Sequence, residues 1–148
     1  MSDDGRPKAG RPSRCVSVVG VLVHESGVQH FADSVESYES RPVELKFLNQ
    51  VPTVWDETKL VDGDPGDRAV LARRSGDTWY LGAITSGAAR TLDEPLSFLG
   101  KGGWRIEVWK DGPDGKVVTE TQEVTAASRL KVDVPKNGGF AVKLTKTD

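Results

Sequence analysis

The sequence predicts a mainly β protein that folds as an antiparallel sandwich with Greek-key connections. Three observations predict this class. From Thr53 onward, apolar and polar residues alternate with a period of two. The alternating segments are short and are separated by turns rich in Gly, Asp and Asn, and the helical patterns all precede them. Short strands at this spacing are typical of antiparallel sandwiches and small barrels.

Composition excludes several functional classes. The chain has 148 residues, which fits one domain, and its formal net charge of −2 gives no general attraction for nucleic acid or an anionic membrane. Cys15 is the single cysteine, so no internal disulfide and no Cys/His zinc cluster can form. No apolar run approaches the ~20 residues of a membrane-spanning helix. We therefore expect no nucleic-acid or membrane partner, and the sequence indicates no particular compartment.

The first third of the chain differs from the rest. Residues 1–14 are polar and rich in Gly, Pro and Arg, which predicts a disordered tail. Val16–Val23 is a β-branched run without a polar face, as in strands buried on both sides of a parallel sheet. A parallel strand needs a neighbour reached through a crossover, and residues 1–14 offer none. We therefore divide the chain into residues 1–14, 15–51 and 52–148.

Two helical segments are expected before the strands. Gly27–Tyr38 predicts a loop and a short helix that Asp33 can cap. A second helix is expected over Pro42–Val51, because proline suits a first helical turn and Pro52 would stop the helix. Its apolar residues fall on one face, namely Val43, Phe47, Leu48 and Val51.

The alternating segments then follow in order. Ala69–Arg74 and Thr78–Thr85 flank the turn signal Ser75-Gly76, and Ala89–Phe98 contains Pro95, which indicates an edge or a bulge. In the next strand Trp104, Ile106 and Val108 share one face and Trp109 takes the other, so at least one tryptophan leaves the main core. The remaining strands are Val117–Val124, Leu130–Val134 and Phe140–Leu144.

The acidic residues do not form a recognisable active site. Asp56 and Glu57 are adjacent, so on a strand they would point to opposite faces and could not flank one substrate bond. The sequence DGDPGD, which contains Asp62 and Asp67, resembles a calcium loop only in part. Its twelfth position is Arg73 where an EF-hand needs a bidentate Glu, so a solvated turn is expected.

The other candidate chemistry is equally incomplete. His24 and His30 lie near Ser26, Asp33 and Ser34, but there is no nucleophile elbow to place them in a catalytic arrangement. The glycine-rich stretches lack phosphate-loop spacing. We therefore predict no catalytic, cofactor-binding or metal-binding residue in this chain.

Four tryptophans leave a sugar-binding hypothesis open. Trp55, Trp79, Trp104 and Trp109 are many for this length, and exposed indole faces could stack on sugar rings. Tryptophan in a small β domain is more often part of a core or an interface.

Several separate motifs resemble one enzyme family. They are VPTVWDET at residues 51–58, ARRSGDTWYLGAIT at 72–85, LSFLGKGGW at 96–104 and GGFAVKL at 138–144. Together they resemble the C-terminal domain of glycoside hydrolase family 97. HESGVQHFADSVESY, at residues 24–38, looks like the segment that closes the family's catalytic barrel.

The resemblance implies an accessory role. Family members are exo-acting α-glucosidases and α-galactosidases with a (β/α)₈ barrel and a C-terminal β domain described as an oligomerisation domain. Val16–Val23 would be the last barrel strand, so residues 15–51 would be a short α/β remnant of the barrel. Catalytic carboxylates and calcium ligands of the family come from earlier strands, and none is carried over to this chain. His24 and Glu25 would lie at the end of the last strand, where barrel enzymes build their sites.

Three hypotheses follow from the sequence. The first is a non-catalytic C-terminal domain, with no cofactor of its own, whose partner is a catalytic barrel or a second copy of the chain. The second is a carbohydrate-binding module. The third is a subunit that completes a separately encoded barrel, and a fragment of a larger gene would give the same sequence.

Overall fold

The computed structural model describes residues 42–52, 54–112 and 116–147. The expected tail, the apolar strand Val16–Val23 and the helix after Gly27 lie outside these residues. So do His24, Glu25 and His30, and their expected positions stay predictions. In the described part, no helix has the length and apolar character needed to cross a membrane.

One helix and eight strands make up the described chain. The helix is α1 (Pro42–Leu48). The strands are β1 (Glu57–Asp64), β2 (Arg68–Ser75), β3 (Thr78–Thr85), β4 (Arg90–Pro95), β5 (Gly103–Asp111), β6 (Val117–Val124), β7 (Arg129–Val134) and β8 (Gly139–Thr147). Strand pairing is antiparallel throughout, with a six-stranded sheet in the order β1-β2-β3-β8-β5-β6 and a two-stranded sheet of β4 and β7. The antiparallel sandwich prediction is confirmed.

The core lies between the two sheets. Alternation along each strand turns every second side chain toward it. From the large sheet come, among others, Val70, Leu81, Ile106, Val142 and Leu144; from the small sheet come Leu92, Leu130, Val132 and Val134. Trp79 and Trp104 lie in this core, whereas Trp109 faces the opposite side of the large sheet, under α1. The sequence prediction that the two tryptophans of β5 separate is confirmed.

Most strand boundaries differ from the sequence prediction by one to three residues, and three elements differ in a way that has a physical reason. Helix α1 ends at Leu48 instead of Val51, because Asn49 and Gln50 form a turn. The strand over Ala89–Phe98 ends at Pro95, which lacks the N–H needed to extend the pairing. The third difference is β1, whose last residues were expected to form part of a solvated acidic turn. Asp62 lies within β1, and the turn is confined to the residues between Asp64 and Arg68.

Close approach of the backbones at Gly139 supplies a first test. A Cβ placed there would lie 2.3 Å from the carbonyl oxygen of Ala83 on the neighbouring strand. We expect Gly139→Ala to cost about 1–3 kcal/mol of unfolding free energy, because β3 and β8 would have to separate. Urea denaturation would measure the loss. Gly100→Ala is the control, since its Cβ would meet only a Trp104 ring atom at 4.0 Å. Equal stability of the two variants would contradict this packing.

Candidate interaction site

Helix α1 packs on the face of the large sheet that the small sheet leaves uncovered. Phe47 is fully buried and its ring lies 4.9 Å from the ring of Trp109 and 6.4 Å from that of Tyr80, measured between centroids. The other apolar residues of the predicted helix face join the same cluster, namely Val43, Leu48 and Val51. The apolar face predicted for Pro42–Val51 is therefore confirmed, although Val51 itself lies beyond the end of the helix.

Gln50 lies in the turn that follows α1 and forms hydrogen bonds with three other residues. Its side-chain Nε2 donates to the carbonyl of Lys46 at 3.0 Å, which satisfies an open carbonyl in the last helical turn. Tyr80 Oη donates to the backbone carbonyl of Gln50 at 3.0 Å, and Lys143 Nζ donates to its Oε1 at 2.8 Å. Burial raises the pKa of Tyr80, so its hydroxyl stays a neutral donor. Strands β3 and β8 thus both hydrogen-bond to Gln50, β3 to its backbone and β8 to its side chain.

Trp55 covers the next part of the same face. Its ring lies 5.5 Å from that of Tyr80 in an edge-on arrangement, and the guanidinium of Arg73 lies 5.5 Å from the Trp55 centroid. Arg73 is only 2% exposed, and within the described residues its Nε has no hydrogen-bond partner. The indole face therefore provides a favourable contact for a buried cation that lacks a carboxylate in the described part.

A second polar cluster joins the turn after β1 to strand β2 and to β4. Arg68 Nε donates to Asp62 at 2.6 Å and Arg68 Nη1 donates to Asp67 at 2.7 Å. Arg90 Nη1 donates to the other oxygen of Asp67 at 2.7 Å. Hydrogen bonds from Arg68 hold the pKa of Asp62 below its usual value, and those from Arg90 and Arg68 do the same for Asp67. The acidic loop is occupied by arginines of its own chain.

Glu94 lies beside this cluster and is 2% exposed. Burial is the main cause that raises its pKa from 4.5 to about 7, and the negative charge of Asp62 and a hydrogen bond between the two carboxyl groups contribute to the same rise. A β-bulge between Leu60 and Asp62 shifts the register of β1, so Asp62 pairs with Val70, which faces the inter-sheet core. The bulge thus brings a partner carboxyl to Glu94. This pair is not predictable from the sequence, because no local pattern indicates a bulge.

Asp56 and Glu57, the adjacent carboxylates considered as a catalytic pair, have structural partners. Asp56 accepts the Gly76 N–H at 2.7 Å, and Glu57 forms ion pairs with Lys59 and Arg74. In the described ranges no group of three or more His, Cys, Asp or Glu side chains could hold a metal ion. Calcium, which the family resemblance implies for complete enzymes, therefore has no fitting ligand set in this part of the chain.

The tryptophans offer little surface for stacking sugars. Trp79, Trp104 and Trp109 are exposed by 5%, 4% and 0%, and Trp55 is partly buried against Arg73 and Tyr80. Each packs either in the core between the two sheets or on the face of the large sheet that carries α1. The geometry therefore favours packing over sugar binding for these four residues, and carbohydrate binding remains an untested prediction.

A family model described as "Glycosyl-hydrolase 97 C-terminal, oligomerisation" matches residues 54–145. Two curated relatives are similar over most of this chain. A probable retaining alpha-galactosidase of Streptomyces bingchenggensis is 43% identical over 137 residues, which is 92% of this chain and 21% of the relative. A retaining alpha-galactosidase of Bacteroides thetaiotaomicron is 34% identical over 89% of this chain and 21% of its own length.

Solved structures agree with the sequence relatives. The R171K variant of a glycoside hydrolase family 97 enzyme from Pseudoalteromonas sp. strain K8 superposes with a TM-score of 0.86 at 30% identity, covering 93% of this chain and 23% of that one. A β-arabinopyranosidase structure gives a TM-score of 0.80 at 32% identity, over 90% of this chain and 21% of that one. This chain therefore spans about a fifth of the length of the curated relatives it matches.

Proposed function

Because this chain belongs to the glycosyl-hydrolase 97 C-terminal family, we propose that it is the accessory β domain of an α-glycosidase and contributes packing and subunit contact, not catalysis. The observation that carries the proposal is the match over residues 54–145 to a model described as an oligomerisation domain. The enzymes it resembles are about five times longer than the matching part, so their chemistry has ample room elsewhere.

The side-chain arrangement supports a structural role. A glycosidase needs two carboxyl groups on either side of a substrate bond, with access for the sugar. Glu94 and Asp62 are the closest approach to such a pair in the described residues, but they hydrogen-bond to each other and Glu94 is buried. The other acidic groups near them are engaged by Arg68 and Arg90.

The proposal predicts no glycosidase activity from this chain. Purified protein, supplied with calcium, should release no nitrophenol from p-nitrophenyl α-galactoside or α-glucoside above a protein-free blank. The physical reason is the lack of an accessible carboxylate pair in the described residues. A full-length relative assayed in parallel is the positive control. Turnover that co-purifies with the chain through several columns would refute the non-catalytic assignment.

Self-association is the partner mode that the family description favours. Sedimentation velocity of the whole chain over a hundredfold concentration range should show a dimer or higher species. Leu60 and Val118 are exposed apolar residues on β1 and β6, the two edge strands of the large sheet among those described. Leu60→Glu and Val118→Glu form a matched pair that would locate the contact at one edge. A strictly monomeric chain would leave packing against a catalytic domain as its role.

A further inference from the structure

We propose that the linker between α1 and β1, described at residues 49–52 and 54–56, is a rigid coupling that fixes α1, and with it the point at which any preceding domain would attach, relative to the β domain. The inference rests on the proposed function only where it identifies that preceding domain with a catalytic barrel. Domains in one chain move relative to each other by default, unless the interface between them is large and hydrophobic. A rigid connection would restrict that motion. The linker sequence, NQVPTVWD, contains neither the glycine nor the serine of a flexible connector.

The first anchor is Gln50. Its backbone carbonyl and side-chain oxygen accept hydrogen bonds from two different strands, through Tyr80 and Lys143. Its Nε2 closes the end of helix α1 at Lys46. One residue therefore joins the helix end to the middle of the large sheet, and α1 cannot rotate without breaking these bonds.

The second anchor is Trp55, five residues further along. Its indole lies between the edge of Tyr80 and the guanidinium of Arg73. Within the described residues, the Nε of Arg73 has no hydrogen-bond partner, and the side chain is nearly inaccessible to water. Displacement of Trp55 would deprive the buried guanidinium of Arg73 of its aromatic partner, so this contact opposes movement of Trp55.

The third anchor joins the linker to the β2–β3 hairpin. The Asp56 N–H donates to the carbonyl of Arg74 at 2.8 Å, and the Gly76 N–H donates to Asp56 Oδ2 at 2.7 Å. Both ends of the linker are therefore fixed to the same sheet. A segment held at residues 50, 55 and 56 transmits orientation and does not act as a hinge.

Hydrogen exchange on the 148-residue chain tests the coupling. The amides of Gln50 and Asp56 donate to backbone carbonyls, and we expect both to exchange at least about 100-fold more slowly than in an unstructured peptide. Acrylamide quenching of Trp55, obtained as the difference between wild type and Trp55→Phe, should be well below that of free tryptophan. Exchange at the peptide rate, or quenching like that of free tryptophan, would overturn the proposal.

Two variants test whether the named contacts cause the rigidity. Tyr80→Phe and Lys143→Met each remove one donor to Gln50, and each should speed exchange at Gln50 and Asp56 by about fivefold or more. Lys146→Met, at an exposed position on the same strand, is the matched control and should change neither amide. Slow exchange that persists after both substitutions would show that the bonds from Tyr80 and Lys143 to Gln50 do not cause the rigidity. Glycosidase turnover by this chain would refute only the proposed function, whereas a mobile linker would refute only the coupling.

Discussion

Replacing Trp109 with alanine should destabilise the protein by about 3–5 kcal/mol, the range for truncation of a large aromatic side chain in a packed core. Trp109 is fully buried, and its ring lies 4.9 Å from that of Phe47 on α1. Removal of the indole leaves a cavity beneath the helix that the rigid sheet cannot close. Because domains are typically stable by only 5–15 kcal/mol, the loss would be a large share of the total.

Urea denaturation followed by far-ultraviolet circular dichroism would measure the effect. Val118→Ala on the adjacent strand β6 is the control, because Val118 is 36% exposed and its truncation should cost less than about 1 kcal/mol. A loss of under about 1 kcal/mol for Trp109→Ala would contradict the packing of α1 on this face. It would also weaken the case for the rigid coupling, because the linker begins where α1 ends.

Replacing Glu94 with glutamine should stabilise the protein at pH 8 and leave it almost unchanged at pH 4.5. The pKa of Glu94 is raised to about 7 by burial and by Asp62. Between its ordinary value of 4.5 and about 7, the unfolded chain loses the proton while the folded protein keeps it. Folding stability that is fully present below pH 4.5 is therefore lost as the pH rises through 7.

The size of this effect is about 2 kcal/mol between pH 4.5 and 8, since Glu94 is buried and beside a second carboxylate. Glutamine stays neutral and can still donate to Asp62. In the Glu94→Gln variant, the free energy of unfolding should therefore change little with pH above pH 5. Glu123→Gln, at an exposed position on β6, is the control. A wild-type stability that rises from pH 5 to 8, or one that Glu94→Gln leaves unchanged, would contradict the pair.

Below pH 4 a different set of carboxylates should dominate. Asp62 and Asp67 have lowered pKa values, because arginine side chains donate hydrogen bonds to their ionised forms. Such groups contribute stability that is lost as the pH falls through their folded pKa. The wild-type protein is therefore expected to be most stable in the weakly acidic range, between this loss and that caused by Glu94.

Sequence reasoning located most strands because their information is local. The residues of Thr78–Thr85 and Val117–Val124 match β3 and β6 end to end. Alternation alone separated Trp104 from Trp109, since successive side chains of a strand point to opposite faces. The family assignment rested on motifs and is shown by the comparisons.

The same reasoning missed features that depend on distant residues. Strand β1 has no fully buried residue, so its bounds were not predicted within the alternating region, and pairing with β2 defines them. Gln50 and Lys143 are 93 positions apart, and nothing near either residue indicates their contact. Nothing near Arg73 in the sequence indicates that it is buried, and the structure places its guanidinium against the ring of Trp55.

The sequence by itself determined the fold class, the family, most strand positions and the face on which each core residue lies, because periodicity and motifs are properties of neighbouring residues. The tertiary structure decided which charges are buried, which carboxyl groups meet and how the linker is held. Those outcomes depend on strand order and on a single bulge in β1, which place Glu94 beside Asp62 and Gln50 between Tyr80 and Lys143. Desolvation and hydrogen bonding act only between groups that folding has brought together.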